Sequence, residues 1–293
     1  MTRKIAIIGT PEKWSTEALA DAMAARTGYR QVVDMGQAVL DLGAGTLTCD
    51  GVDLCQLDGL VLKKIAEDYS PDALDRLEML RMAEAAGVRI FSPPVNVLRL
   101  MDRLACTMTL RLADIPMPET TITESETAAA AALERYGAAV FKPLFSTKAR
   151  GMMLLDSDAP DARDRIAEFH ATNPVMYIQQ KADLSGADLG MVFLNGDYLC
   201  TYARISQTGS WNTTIHSGGK YAAFDPTPEL IDLGRRAQAP FGLTFTTVDI
   251  ALTSAGPIVF EVSAFGGYSG ALKGCGIDAA ALVADHVLQE IGA

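Results

Sequence analysis

The sequence predicts an α/β unit followed by α+β units, and three observations carry that reading. Through roughly the first ninety residues short apolar runs alternate with helical segments, the pattern of a parallel sheet with βαβ crossovers. Ser92-Pro93-Pro94 then breaks the alternation. Further on, long alternating strands flank Asn195-Gly196, a dipeptide that accepts the positive φ angles of a tight hairpin.

Each element has its own signal. Ile5-Ala6-Ile7-Ile8 reads as a buried strand stopping at Gly9-Thr10-Pro11. A helix is expected from Ser15, which can cap it, to Arg26, with Ala18, Leu19, Ala22 and Met23 at helical spacing. A strand at Leu57 to Leu62, a helix from Pro71 to Ala86 with Leu74, Leu77 and Leu80 on one face, and a strand at Val88 to Phe91 complete the first unit. Asn96 to about Asp114 reads as helical and ends at the rigid Ile115-Pro116-Met117-Pro118. A small α+β unit is expected next, with strands at Thr120 to Thr123, Ala138 to Phe141, Met152 to Asp156 and Val175 to Gln180, and helices at Ser125 to Tyr136 and Pro160 to Ala171. Strands at Asp188 to Leu194 and Tyr198 to Ser206 form the Asn-Gly hairpin. A second strand pair, Thr246 to Leu252 and Ile258 to Val262, turns at Thr253-Ser254-Ala255-Gly256, and a helix from Asp278 to Ile291 closes the chain. These boundaries predict units at 1–94, 95–182 and 183–293.

Composition narrows the function classes. The 293 residues, 49% hydrophobic and 21% charged, are those of a globular protein rather than a disordered one. A net charge of −11 argues against a nucleic-acid surface, although it does not exclude a local basic pocket. Five widely spread cysteines without a C-x-x-C spacing suggest neither a disulfide framework nor a zinc site. The first apolar run is too short for a signal peptide, and the sequence lacks an apolar stretch of about 20 residues. A cytoplasmic protein with no membrane partner is expected.

Two features could carry chemistry. Asp249 and Glu261 interrupt the apolar strands of the second hairpin, and a carboxylate there must face water, pair with a cation or bind a metal. Antiparallel pairing would bring the two together, as hard oxygen ligands suited to Mg²⁺ beside substrate phosphates, or as one solvated hairpin face. Lys142 ends an apolar strand and precedes a loop holding Ser146, Thr147, Lys148, Arg150 and Gly151. It reads either as a polyphosphate contact or as a lysine extending its charge to solvent.

With Asp102-Arg103, Phe141-Lys142-Pro143, Tyr177-Ile178-Gln179-Gln180-Lys181, Asp188, Arg204, Trp211-Asn212-Thr213, Gly218-Gly219, Asp249 and Glu261 in this order, the chain resembles the ATP-grasp superfamily. It is most similar to the RimK-like carboxylate–amine ligases, and among them to the GAK-system ATP-grasp enzymes. The resemblance implies an ATP-grasp fold with an N-terminal Rossmann-like domain, a lid and a C-terminal catalytic subdomain. It also implies ATP with Mg²⁺ or Mn²⁺ as cofactors, and small-molecule or peptide carboxylate and amine substrates. The carboxylate would take the γ-phosphoryl group, and the amine would then attack the acyl phosphate. By the same resemblance Lys142 and Arg103 contact the phosphates, with Lys148 and Arg150 added from the loop. Gln179, Gln180, Lys181 and Ala182 run along the adenine, Asp188 lies near the ribose, Arg204 faces the γ-phosphate, and Asp249, Glu261 and Ser263 hold the metal.

The chain also departs from the family. Its phosphate-covering loop has one glycine, Gly190 stands where an arginine is usual, Ser263 and Thr214 stand in asparagine positions, Gln180 stands where an acid is common, and Arg103 replaces a lysine. The family's glutamate specificity therefore does not transfer by resemblance alone. A small-molecule kinase of the same fold and a non-catalytic ATP-binding regulatory subunit are the alternatives. His216 reads as a general base for the amine or as a solvated loop histidine. Gly266-Gly267-Tyr268-Ser269-Gly270 reads as backbone approaching the acyl acceptor or as an ordinary turn. Lys63 and Lys64, at the ligand-binding end of a parallel strand, read as contacts to an anionic substrate or as solvated lysines.

Overall fold

A computed structural model of the protein describes residues 3–147, 149–184, 187–205 and 220–292. The first unit is a parallel sheet in the order β2-β1-β6-β7, made of β1 (Ile5–Ile8), β2 (Val32–Val33), β6 (Gly59–Leu62) and β7 (Arg89–Phe91). All residues of β1 and β6 are buried, as parallel strands covered on both faces require. Helices α1 (Trp14–Thr27) and α2 (Asp72–Ala85) make the crossovers, and β3 (Val39–Asp41), β4 (Thr46–Cys49) and β5 (Val52–Asp53) form a small antiparallel sheet beside them. The expected helix after Ser92-Pro93-Pro94 is two helices, α3 (Pro94–Met101) and α4 (Arg103–Leu112). Asp102 separates them: its extended backbone ends α3, and its side chain caps α4 by accepting from the Leu104 amide at 3.0 Å.

The second unit is an antiparallel sheet in the order β10-β9-β11-β8. Its strands are β8 (Thr120–Thr123), β9 (Ala138–Lys142), β10 (Met153–Asp156) and β11 (Met176–Gln180), backed by α5 (Glu126–Tyr136) and α6 (Ala162–Thr172). The third is an antiparallel sheet in the order β14-β13-β12-β15-β16. It comprises β12 (Ala187–Leu194), β13 (Asp197–Ile205), β14 (Lys220–Ala223), β15 (Phe245–Thr253) and β16 (Gly256–Ser263). Asn195 and Gly196 turn β12 into β13 with φ angles of 51° and 85°, the positive pair that an Asn-Gly hairpin accepts. Helices α7 (Pro228–Gln238), α8 (Tyr268–Cys275) and α9 (Ala279–Gly292) complete this unit.

The cores divide unevenly. The apolar residues of the first sheet pack continuously with those of the five-stranded sheet, Leu60 and Leu62 sharing one cluster with Met191, Phe193 and Ile250. The four-stranded sheet keeps a separate core around Phe141, Phe169 and Ile178. The open face of the five-stranded sheet and that smaller unit enclose a cleft.

Candidate active site

Strand register decides which side chains meet. Asp249 pairs with Glu261 and with Gly190, Asp188 pairs with Arg204, and Arg204 pairs with Tyr221, so these residues share one face of the sheet. Period-two alternation adds Tyr202, Thr247 and Ser263 to that face. They line a cavity of about 490 Å³, whose opposite wall holds Val140, Lys142, Met152 and the Gln179–Ala182 segment.

Charge is concentrated and paired. The Arg204 guanidinium grips both oxygens of Asp188 and reaches Asp249 Oδ1 at 3.1 Å. Burial opposes its charge, but the Asp249 and Asp188 carboxylates outweigh that and keep it protonated. Burial pushes the Asp249 carboxyl up to about 7 against the pull of Arg204, and the Glu261 and Asp188 carboxylates add to the rise. A carboxyl so placed gains by acquiring another cation. Arg103, positioned by the Asp102 cap, meets Glu261 Oε2, the Pro143 carbonyl and Ser146 Oγ, each at 3.2 Å. Lys142 donates to Gln179 Oε1 at 2.5 Å, and burial and then the Arg103 charge push its ammonium down to about 7.

The residues fit a magnesium ion that is only partly coordinated by protein. Asp249 and Glu261 face each other as hard donors with Ser263 beside them, and among the described residues no larger metal-binding cluster exists. The rest of an octahedral shell then falls to phosphate oxygens and water.

Several expected residues sit differently from their predicted setting. Arg150 does not line the cleft; its exposed guanidinium pairs with Asp68 and Thr147 instead. The amides of Gln180 and Lys181 are bonded to the Glu119 and Ala138 carbonyls, because β11 lies between two neighbours, so they are not offered to an adenine. The Gln179 side chain turns inward to Lys142, Thr120 and Tyr177. Asp188 is locked to Arg204. Ser263 Oγ accepts from the Phe265 amide at 3.3 Å while still lining the cleft. Lys63 is not solvated: it is 4% exposed, donates to the Phe265 carbonyl at 2.6 Å and lies over the Tyr268 ring. Lys64 lines the cleft over the Tyr69 ring. Lys148, Trp211-Asn212-Thr213, Thr214, His216 and Gly218-Gly219 lie outside the described residues. Tyr202 and Thr247 were missed, although their positions two residues before Arg204 and Asp249 place them on the same face.

Residues 100–287 match the RimK-like ATP-grasp domain. The chain belongs to that family. It is 24% identical over 265 residues to the tetrahydromethanopterin:alpha-L-glutamate ligase of Methanosarcina acetivorans, covering 85% of this chain and 82% of that one. It is 26% identical to a probable alpha-L-glutamate ligase 2 of Shewanella denitrificans, over 95% of this chain and 91% of the relative. The ATP-grasp ligase PsnB, solved with a phosphomimetic variant of its minimal precursor, Mg and ADP, shares the fold at a TM-score of 0.76 and 17% identity, covering 99% of both chains. The protein is thus an ATP-dependent ligase of the carboxylate–amine class. No described helix is long and apolar enough to cross a membrane.

Proposed function

We propose that this cleft activates a small-molecule or peptide carboxylate as an acyl phosphate and passes the acyl group to an amine, releasing ADP and phosphate. The observation that carries the reading is the pairing of Asp249 with Glu261 beside Arg204, facing Lys142 and Arg103 across the cavity. Two separated groups of cations and one metal-binding edge suit phosphoryl transfer, which depends on positioning and charge neutralisation more than on covalent help.

In this reading Lys142 and Arg103 hold the triphosphate, Arg204 faces the γ-phosphoryl group, and the adenine lies along Gln179 to Ala182. Asp249, Glu261 and Ser263 would hold Mg²⁺, or Mn²⁺ in its place; the bound ion neutralises phosphate charge. A carboxylate oxygen attacks the γ-phosphorus as the bond to ADP breaks. The amine nitrogen then attacks the acyl carbon, phosphate leaves, and the amine proton passes to solvent. Segment 95–182 would act as the lid over segment 183–293, with 1–94 packed behind. The part of it from β8 onward keeps a separate core that allows it to move as a unit, whereas Val97, Met101, Cys106 and Leu110 belong to the shared core.

The test is ADP release from Mg·ATP with a mixture of the twenty amino acids, the products being read by mass spectrometry. ADP and phosphate together with a condensed product lacking one water are expected. ADP and a phosphorylated acid, formed without an amine requirement, would make the protein a kinase. Tight Mg·ATP binding with no ADP formation would make it a binding subunit.

A further inference from the structure

Besides the half-buried Tyr221, the site face carries two buried residues whose hydroxyls the roles above do not use. Tyr202 is 3% exposed, yet its ring does not stand upright on β13. It lies across β12 above Gly190: a Cβ at position 190 would fall 2.3 Å from the ring Cζ and 2.5 Å from the hydroxyl oxygen. Helix α8 closes over the other edge, where a Cβ on Gly270 would meet ring Cε1 at 2.2 Å and one on Gly274 would meet the Tyr202 Cβ at 2.7 Å. Three glycines therefore make the space for one ring. Gly190 pairs with Asp249, so a hydroxyl above Gly190 is delivered towards the acidic edge of the cleft. It has no hydrogen-bond partner among the described residues, while the ring packs edge-on against Tyr221.

Thr247 is the second. It is 2% exposed, and its Oγ1 is buried without a partner. It sits under the turn into α8, close enough that a Cβ on Gly267 would lie 2.4 Å away. Both residues line the same cavity. A buried hydroxyl without a partner is costly, and Thr247 Oγ1, on the same cavity wall as the Tyr202 phenol, marks a place that a ligand completes.

Resting on the proposed ligase reading, we infer that the Tyr202 and Thr247 hydroxyls form the subsite for the carboxylate that becomes phosphorylated. The triphosphate has Lys142 and Arg103 of the opposite wall and Arg204 of this one, whereas Tyr202 and Thr247 add neutral donors beside them. Neutral donors suit an oxygen that must stay nucleophilic, because they hold a carboxylate while withdrawing less charge from it than a guanidinium does. Burial keeps the Tyr202 phenol well above its usual titration range, so it is a donor at neutral pH. Tyr202 binds one carboxylate oxygen, Thr247 supports the group from below, and the other oxygen faces the γ-phosphorus.

The experiment compares wild type with Tyr202→Phe and Thr247→Val. ADP release is measured with Mg·ATP and the twenty amino acids, first mixed and then titrated singly, and Mg·ATP affinity is measured by calorimetry. The expected result is a KM for the acid raised on the order of tenfold or more in Tyr202→Phe, as for a lost bond to a charged group, with Mg·ATP affinity kept. Thr247→Val should move the same KM in the same direction. An acid KM unchanged in Tyr202→Phe would overturn the inference and leave the ligase reading standing. Parallel loss of Mg·ATP affinity would make the ring a structural support and overturn it too. Failure of wild type to release ADP with any of these acids would overturn the ligase reading and this inference together.

Discussion

Lys142 is in contact with Gln179, lies near Arg103 and faces the cavity, and burial with the Arg103 charge brings its ammonium to about 7. With Lys142 on the phosphates as proposed, nucleotide affinity should depend on pH. Bound triphosphate favours the charged amine, so the protonated form binds better and Mg·ATP binding above pH 7 takes up a proton. Calorimetry should show affinity falling as pH rises from 7 to 9, by at most about tenfold per pH unit. Lys142→Met should bind weakly without that slope, whereas Lys63→Met, whose amine is engaged by the Phe265 carbonyl, should keep it. An identical slope in wild type and Lys142→Met would remove Lys142 from the phosphates. At this scale the sequence was most informative about charge. Asp249, Glu261 and Lys142 stand out because a charge in an apolar strand requires a reason. Tyr202 and Thr247 gave no such signal, because an aromatic or β-branched residue is ordinary in a strand.

Elements with strong periodicity or an unambiguous turn were legible from sequence, among them α1, α5, α9 and the Asn195-Gly196 hairpin. The short strands β2 to β5 were not, being of two to four residues each. Helix α8 was hidden by its glycines, which lower helix propensity but leave room for Tyr202. Helix α7 also went unread, although Thr227 caps it by accepting from the Leu230 amide and Pro228 occupies its first turn. Close packing of α7 on β12 gives a direct test. Ala at Gly234 would favour an isolated helix by about 1 kcal/mol. Its Cβ, however, would fall 2.4 Å from Met191 Sδ and 3.0 Å from the Phe193 ring, both fully buried. Overpacking costs about 1–3 kcal/mol, so Gly234→Ala should lower stability in urea denaturation on balance. A stabilised variant would mean that α7 does not pack as described.

Across the molecule, the N-terminal sheet and the five-stranded sheet share a core, and the smaller unit joins them across the cleft through polar contacts such as that of Arg103 with Glu261 and the Pro143 carbonyl. The change from alternating helices and strands to paired antiparallel strands could be read from the sequence, because Ser92-Pro93-Pro94 and the Asn195-Gly196 hairpin mark it. The shared core could not, since it joins residues far apart in the chain, such as Leu60 with Phe193 and Ile250, 133 and 190 positions away. Net charge misled in the same way. A total of −11 describes the surface, while Arg103, Lys142 and Arg204 gather around one cavity. We propose that Asp249 and Glu261 form a metal-binding edge of that cavity, and Mg·ATP calorimetry on Asp249→Asn and Glu261→Gln tests this. Asp188 still pairs with Arg204 in the first variant, and Pro143 and Ser146 still hold Arg103 in the second, so both should fold. The prediction is a Kd for Mg·ATP raised at least about tenfold in each, with far smaller losses for ATP in chelator. Wild-type Mg·ATP affinity in both variants would contradict it.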